Sequence, residues 1–127
     1  MTTGIDILIV EDNAASRKLL GDVLLAAGFR YLAVDNAEDG IQEAQKHLPR
    51  FILMDIQLPG MNGLIATSLL KQIGELGNTK IIGMSAHAMK TEIELIDQAN
   101  FDLFLTKPFS YKRLLSYLHS IPQGFQS

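Results

Sequence analysis

Hydrophobic residues recur along the chain in five short runs, separated by longer amphipathic segments. The runs occupy residues 5–10, 31–34, 51–54, 80–84 and 102–105. Several of them lack the alternation of polar and apolar positions that a half-exposed strand shows, which favours strands covered on both faces of a parallel sheet. The pattern therefore predicts five buried parallel strands.

The segments that follow the runs have the spacing of amphipathic helices. The first helix is predicted to begin after Asn13, a residue type that caps helix N-termini, and to end before Gly28, a residue type that stops helices. Ser110 is placed to cap the last helix, over residues 111–118. Three more helices are predicted around residues 37–47, 63–74 and 90–99. This alternation predicts an α/β fold, a doubly wound sheet with right-handed crossovers and helices on both faces.

The length and composition are those of one domain. The 127 residues, 47% of them hydrophobic, are enough for one sizeable core, and a charged fraction of 20% argues against a disordered charged tail. We expect a single domain over residues 1–127, with its core at about 5–120 and a short tail at 121–127. Acidic residues exceed basic ones by fourteen to eleven, so binding to nucleic acid through charge is not expected.

Three further features exclude classes of protein. The chain has no cysteine, so disulfides, thiol nucleophiles and cysteine-based zinc sites are excluded. The longest unbroken apolar run, residues 23–27, is far shorter than the roughly 20 residues of a membrane span. The first residues lack the basic segment that precedes the apolar core of a signal peptide. We therefore expect a cytoplasmic protein with no membrane partner.

The candidate chemistry lies at the carboxyl ends of the predicted strands, where open α/β sheets bind their ligands. Glu11 and Asp12 follow the first run, and Asp55 follows the third. Ser85 follows the fourth run, and Lys107 lies just beyond the fifth. In the common strand order 2-1-3-4-5, strands one and three are central neighbours. The three carboxylates are then expected to converge, with the hydroxyl and the lysine beside them.

This cluster favours a particular chemistry. Three carboxylates held together repel one another unless a proton or a cation lies between them, and Mg²⁺ suits a small carboxylate site that keeps several waters. A carboxylate can also attack phosphorus and hold the phosphoryl group as an acyl phosphate. The charge on the phosphoryl oxygens then needs a cation on one side, which Mg²⁺ held by Asp12 and Asp55 would supply, and donors such as Lys107 and Ser85 on the other. The residues thus predict phosphoryl transfer with Mg²⁺ as cofactor.

Four segments carry a resemblance to a known family. They read ILIVEDN at 7–13, LMDIQLPGMNG at 53–63, MSAHAM at 84–89 and FLTKPF at 104–109. Together they resemble the receiver domain of response regulators, the phosphoacceptor of two-component signalling, from about residue 5 to residue 118. The resemblance implies a flavodoxin-like fold and a phosphoryl group accepted from a phosphohistidine on a histidine kinase or a histidine phosphotransfer protein.

The resemblance also implies roles for individual residues. Asp55 would be phosphorylated. Mg²⁺ would be bound directly by Asp12, through water by Glu11, and by the backbone carbonyl of Gln57. Ser85 and Lys107 would contact the phosphoryl group. The peptide bond between Lys107 and Pro108 would be cis, a rare geometry that indicates a constrained turn.

A conformational switch is implied as well. Ser85 would move toward the phosphoryl oxygen, and Phe104, which lacks the hydroxyl of a tyrosine, would rotate inward behind it. The surface formed by the fourth helix, fifth strand and fifth helix would carry the output to a downstream protein target. Gln57 and His87 would tune hydrolysis of the phosphoryl group. Asn100 stands where receivers often have a glycine, and asparagine tolerates the positive φ that such a turn needs.

Two other functions stay open at this point. A phosphatase or phosphotransferase of the haloacid dehalogenase type also uses Mg²⁺ and an acidic strand end, but it needs an Asp-x-Asp pair and here Asn13 and Ala14 follow Asp12. A pseudo-receiver would bind partners without phosphorylation, but such domains usually lack a site residue. The receiver is expected to modify itself rather than to turn over a separate substrate. It would be a monomer or a weak phosphorylation-dependent dimer, either free-standing or part of a hybrid kinase.

Overall fold

The computed structural model describes residues 4–86 and 90–122, and of residues 90–92 it describes the backbone only. The strands are β1 Ile7–Val10, β2 Tyr31–Val34, β3 Phe51–Asp55, β4 Lys80–Ser85 and β5 Leu103–Thr106. The helices are α1 Ala14–Ala26, α2 Ala37–His47, α3 Gly63–Lys71, α4 Lys90–Ala99 and α5 Tyr111–Ser120. A short 3₁₀ helix, Gly74–Leu76, follows α3. The greater part of the expected tail, from residue 123, lies outside the described residues.

The five strands form one parallel sheet in the order β2-β1-β3-β4-β5, as the sequence predicts. One face of the sheet packs against α1 and α5, through residues such as Leu24 and Leu114. The other face packs against α2 and α3, through residues such as Ala44 and Leu70. The central strands β1 and β3 are fully buried, which explains their unbroken apolar runs.

The predicted helix signals are largely confirmed. Asn13 and Ser110 accept backbone N–H bonds from the first turns of α1 and α5, at 2.9 and 3.3 Å. Gly28 has φ +91° just after α1, and Asn100 has φ +58° just after α4. Both residues therefore use the left-handed conformation that ends a helix. Leu48 also has φ +48°, at the end of α2, which its residue type did not predict.

Some boundaries differ from the prediction. β1 begins at Ile7 rather than at residue 5, and β5 begins at Leu103 rather than at residue 102. α3 ends at Lys71 instead of near residue 74, because Gly74 and Gly77 disfavour a continued α-helix and a 3₁₀ turn replaces it. In the described ranges no helix is both long and apolar enough to cross a membrane.

Candidate functional site

Three acidic side chains meet at the carboxyl end of the sheet. Val10 pairs with Met54 across β1 and β3, so the residues that follow them, Glu11 and Asp55, lie side by side. Carboxylate oxygens of Glu11, Asp12 and Asp55 all lie within 4.8 Å of one another. Glu11 is 1% exposed and Asp55 is 4% exposed, whereas Asp12 is open to solvent. The convergence that the sequence predicts is therefore present in the fold.

Lys107 supplies a cation to the two buried carboxylates. Its Nζ lies 2.5 Å from Oε1 of Glu11 and 3.0 Å from Oδ2 of Asp55. The backbone places it there, since the N–H of Lys107 donates to the carbonyl of Ser85 at 2.7 Å and the Lys107–Pro108 peptide is cis. One ammonium group thus neutralises part, but not all, of the charge of three carboxylates.

The two partners of this ion pair have shifted pKa values. Burial raises the pKa of the Glu11 carboxyl above its usual value, and this outweighs the bonds from Lys107 and from the N–H of Asn13, which lower it. Burial lowers the pKa of Lys107, but the bonds to Glu11 and Asp55 outweigh it and raise that pKa overall. The site therefore keeps Lys107 charged and disfavours ionised Glu11.

Both carboxylate oxygens of Asp55 have a partner. Oδ2 accepts from Lys107, and Oδ1 accepts from the backbone N–H of Gln57 at 2.7 Å. The side chain of Gln57 accepts from the N–H of Ala86 at 3.2 Å, which joins the loop after β3 to the loop after β4. A Cβ on Gly63 would lie 2.3 Å from the carbonyl oxygen of Asp55, so the start of α3 approaches Asp55 as only glycine allows.

The two expected switch residues lie on neighbouring strands. Ser85 is the last residue of β4 and is fully buried. Phe104 in β5 is half-buried, and its ring lies 5.5 Å from that of Phe101, centroid to centroid. It pairs across the sheet with Gly83, where a Cβ would lie 2.6 Å from its ring. His87, the other residue expected to tune hydrolysis, lies outside the described residues.

Arg17 contacts the backbone of the site in a way that the sequence did not predict. Its Nη1 donates to the carbonyl oxygen of Glu11 at 2.9 Å and to that of Asp12 at 3.0 Å. The sequence feature that pointed to these contacts was the position of Arg17 on the first turn of α1, five and six residues after its two partners. Arginine on an amphipathic helix normally indicates a solvated face, so this signal is weak.

The geometry agrees with the family to which the sequence is similar. The sequence model described as the response regulator receiver domain matches residues 7–119. The chain belongs to the response regulator receiver family. Receiver domains act in two-component signalling and are not multiple-turnover enzymes. The match over nearly the whole chain also decides against the haloacid dehalogenase alternative.

Related sequences and structures support this assignment. The polar-differentiation response regulator DivK of Brucella anthropi is 37% identical over 114 residues, which are 90% of this chain and 93% of that protein. The receiver domain of the sensor histidine kinase PA1611 from Pseudomonas aeruginosa, with a magnesium ion coordinated in its active-site cleft, has a TM-score of 0.84 at 29% identity. That match covers 93% of this chain and 97% of that one.

A more distant neighbour supports the fold. The chemotaxis protein CheY4 of Vibrio cholerae also has a TM-score of 0.84, at 20% identity, and the match covers 94% of this receiver and all of that chain. The predicted flavodoxin-like architecture is therefore confirmed.

Proposed function

We propose that this receiver accepts a phosphoryl group on Asp55, with Mg²⁺, from a phosphohistidine on a histidine kinase or histidine phosphotransfer protein. One observation carries the proposal: the Asp55 carboxylate lies at the end of β3 beside two other carboxylates and in contact with the ammonium of Lys107. This set combines a nucleophile, ligands for a hard cation and a donor for phosphoryl oxygens.

The donor set fits Mg²⁺. Carboxylate oxygens of Glu11, Asp12 and Asp55 lie close enough to share one ion, and Asp12 is exposed, which leaves room for the waters that Mg²⁺ retains. The backbone carbonyl of Gln57 would complete the protein ligands. When bound, Mg²⁺ would neutralise charge on the phosphoryl oxygens. The magnesium in the cleft of the PA1611 receiver supports the same choice of ion.

The transfer itself needs few residues. An oxygen of Asp55 forms a bond to phosphorus as the bond between phosphorus and the imidazole nitrogen breaks, and the imidazole takes up a proton from solvent as it leaves. Lys107 is already within hydrogen-bond distance of Asp55 and would donate to the phosphoryl oxygens. Hydrolysis reverses the modification when water attacks phosphorus and restores the carboxylate. Gln57, together with His87, would tune that step by screening or orienting the water.

The signal would pass through Ser85 and Phe104. The Ser85 hydroxyl is buried at the end of β4 and would move toward the phosphoryl group. Movement of Ser85 would then allow the Phe104 ring to turn inward. The surface of α4, β5 and α5 would then change its contacts with a downstream protein target, as a monomer or in a weak phosphorylation-dependent dimer.

The test is phosphorylation by a small donor. We expect wild-type protein with Mg²⁺ to be labelled by phosphoramidate or acetyl phosphate, and Asp55→Asn to be unlabelled because it lacks the nucleophilic carboxylate. Phosphate-affinity electrophoresis and intact mass measure the product, which should be lost on treatment with hydroxylamine. Asp22→Asn is the matched control, since Asp22 is an exposed acid paired with Lys18 on α1.

Two results would overturn the proposal. Labelling that persists in Asp55→Asn would move the acceptor to another residue. Wild-type protein that is never labelled would favour the pseudo-receiver, which binds its partners without phosphorylation.

A further inference from the structure

Arg17 joins the first helix to the backbone of the acidic site. Its Nη1 donates at 2.9 and 3.0 Å to the carbonyl oxygens of Glu11 and Asp12, two consecutive residues that lead from β1 into α1. The N–H of Arg17 also donates to the carbonyl of Asn13 at 3.0 Å, so the helix holds the arginine in place. One guanidinium nitrogen therefore fastens two successive peptide groups.

This guanidinium binds backbone carbonyls although two acidic side chains lie nearby. A shallow cavity of about 260 Å³ beside it is lined by Asp35 and Asp39. Even so, Arg17 forms no ion pair with any carboxylate that the structure describes. Hydrogen bonds from a charged donor are stronger than neutral ones, so these bonds to carbonyls hold the loop firmly.

Asp12 depends on its backbone for its position. Among the residues that the structure describes, its carboxylate has no hydrogen-bond partner, in contrast to Glu11 and Asp55. The carbonyl and the side chain of a residue share one Cα, so fixing the peptide groups on both sides of Asp12 fixes the direction in which its side chain leaves the chain. Arg17 holds both of these peptide groups.

We propose that Arg17 is a positioning residue for the Mg²⁺ ligand Asp12, and this rests on the proposed function of the acidic site. It would act through the backbone, without touching the ion or the phosphoryl group. Groups that orient metal ligands typically change metal affinity by about 10- to 100-fold when removed. A positive charge near the site would by itself weaken Mg²⁺ binding, so the two effects have opposite signs.

The experiment measures Mg²⁺ affinity directly, by isothermal titration calorimetry. We expect Arg17→Ala to weaken binding by about tenfold, and Arg17→Lys, which keeps the charge and can reach one carbonyl, to weaken it less. Lys18→Ala is the matched control. It removes the same charge from the next position of α1, where the side chain is 78% exposed and pairs with Asp22, and it should leave the affinity unchanged.

The outcomes separate this inference from the proposed function. Wild-type protein that binds no Mg²⁺ would overturn the metal site itself. If wild-type protein binds Mg²⁺ and the affinity of Arg17→Ala lies within twofold of the wild-type affinity, only the positioning role is overturned. Tighter binding by Arg17→Ala would mean that only the charge matters. If Arg17→Ala does not fold, as judged by circular dichroism, Arg17→Lys provides the same test.

Discussion

At the scale of single residues, the site is organised around Lys107. Its ammonium contacts two of the three carboxylates, and those two, Glu11 and Asp55, are the buried ones. The third, Asp12, is exposed and can rely on solvent. The charge that burial penalises most is therefore the charge that the protein itself compensates. The charge that remains uncompensated would attract the further cation that we propose for this site.

The shifted pKa of Glu11 predicts how stability depends on pH without Mg²⁺. Because burial raises this pKa in the folded protein, the folded state holds the proton more tightly than the unfolded state does. As pH rises above the usual glutamate range, ionisation of Glu11 lowers the free energy of unfolding. We expect the free energy of unfolding of Glu11→Gln, relative to that of wild type, to increase as pH rises from 4.5. Urea unfolding in the presence of EDTA measures this difference.

The control for this prediction is an acid outside the site. Glu75→Gln changes an exposed residue of the 3₁₀ helix, and its stability difference from wild type should not vary with pH over that range. A stability difference for Glu11→Gln that does not vary with pH would mean that the bond from Lys107 balances burial, and one that slopes the other way would mean that it outweighs burial. Added Mg²⁺ should abolish the effect, because the cation favours ionised Glu11.

At the scale of secondary structure elements, β4 and β5 pack closely because Gly83 in β4 has no side chain. Gly83 in β4 lies opposite Phe104 in β5, and the rings of Phe104 and Phe101 occupy the space where its Cβ would be. Glycine weakens a strand, so its presence here indicates close packing of these rings on the backbone of β4. The position of the expected switch residue Phe104 thus depends on its neighbour in the sheet.

This packing predicts the effect of Gly83→Ala. A Cβ at 2.6 Å from Phe104 and 2.9 Å from Phe101 must displace a ring. Overpacking of this kind typically costs about 1–3 kcal/mol, which we expect as a loss in the free energy of unfolding by urea. The double variant Gly83→Ala with Phe104→Leu should recover part of this loss.

Gly74→Ala is the matched control for Gly83→Ala. It adds the same methyl group where no atom lies within 4 Å and φ is not positive, so stability should be unchanged or slightly increased. Equal stability of Gly83→Ala and wild type would contradict the packing argument.

At the scale of the whole molecule, the net charge can be compared with the charge of the acidic site. The chain has fourteen acidic and eleven basic residues, and the excess of three equals the number of carboxylates in the cluster. Lys107, one of the eleven basic residues, contacts two of these carboxylates, so the cluster together with Lys107 carries less than the whole net charge. The consequence is local: like charges gathered at one end of the sheet lower the stability of the metal-free fold.

Mg²⁺ should therefore stabilise the entire domain. A ligand that binds the folded state alone at ten times its dissociation constant adds about 1.4 kcal/mol, which corresponds to a rise of roughly 3–6 °C in Tm for a domain of this size. Differential scanning calorimetry at constant ionic strength measures the shift, and Asp12→Asn should reduce it. An equal rise with Mg²⁺ in wild type and Asp12→Asn would place the bound ion elsewhere.

Much of the fold could be predicted from sequence because its signals are local. The apolar runs, the caps at Asn13 and Ser110, and the helix stop at Gly28 each depend on residues within a few positions. Boundaries were less predictable, since the ends of β3 and β4 depend on pairing across the sheet. Asp55 and Ser85 prove to be the last residues of these strands rather than the first residues after them.

The sequence by itself determined the class of fold, the gathering of Glu11, Asp12 and Asp55 at one edge, and the resemblance to receivers. The common strand order and the shared direction of parallel strands are enough to bring these three carboxylates together. The tertiary structure decided which contacts these residues make. Lys107 lies 96 residues from Glu11 along the chain, and Gly83 meets Phe104 only across two strands. Such contacts depend on how distant elements pack, and no local pattern encodes their distances.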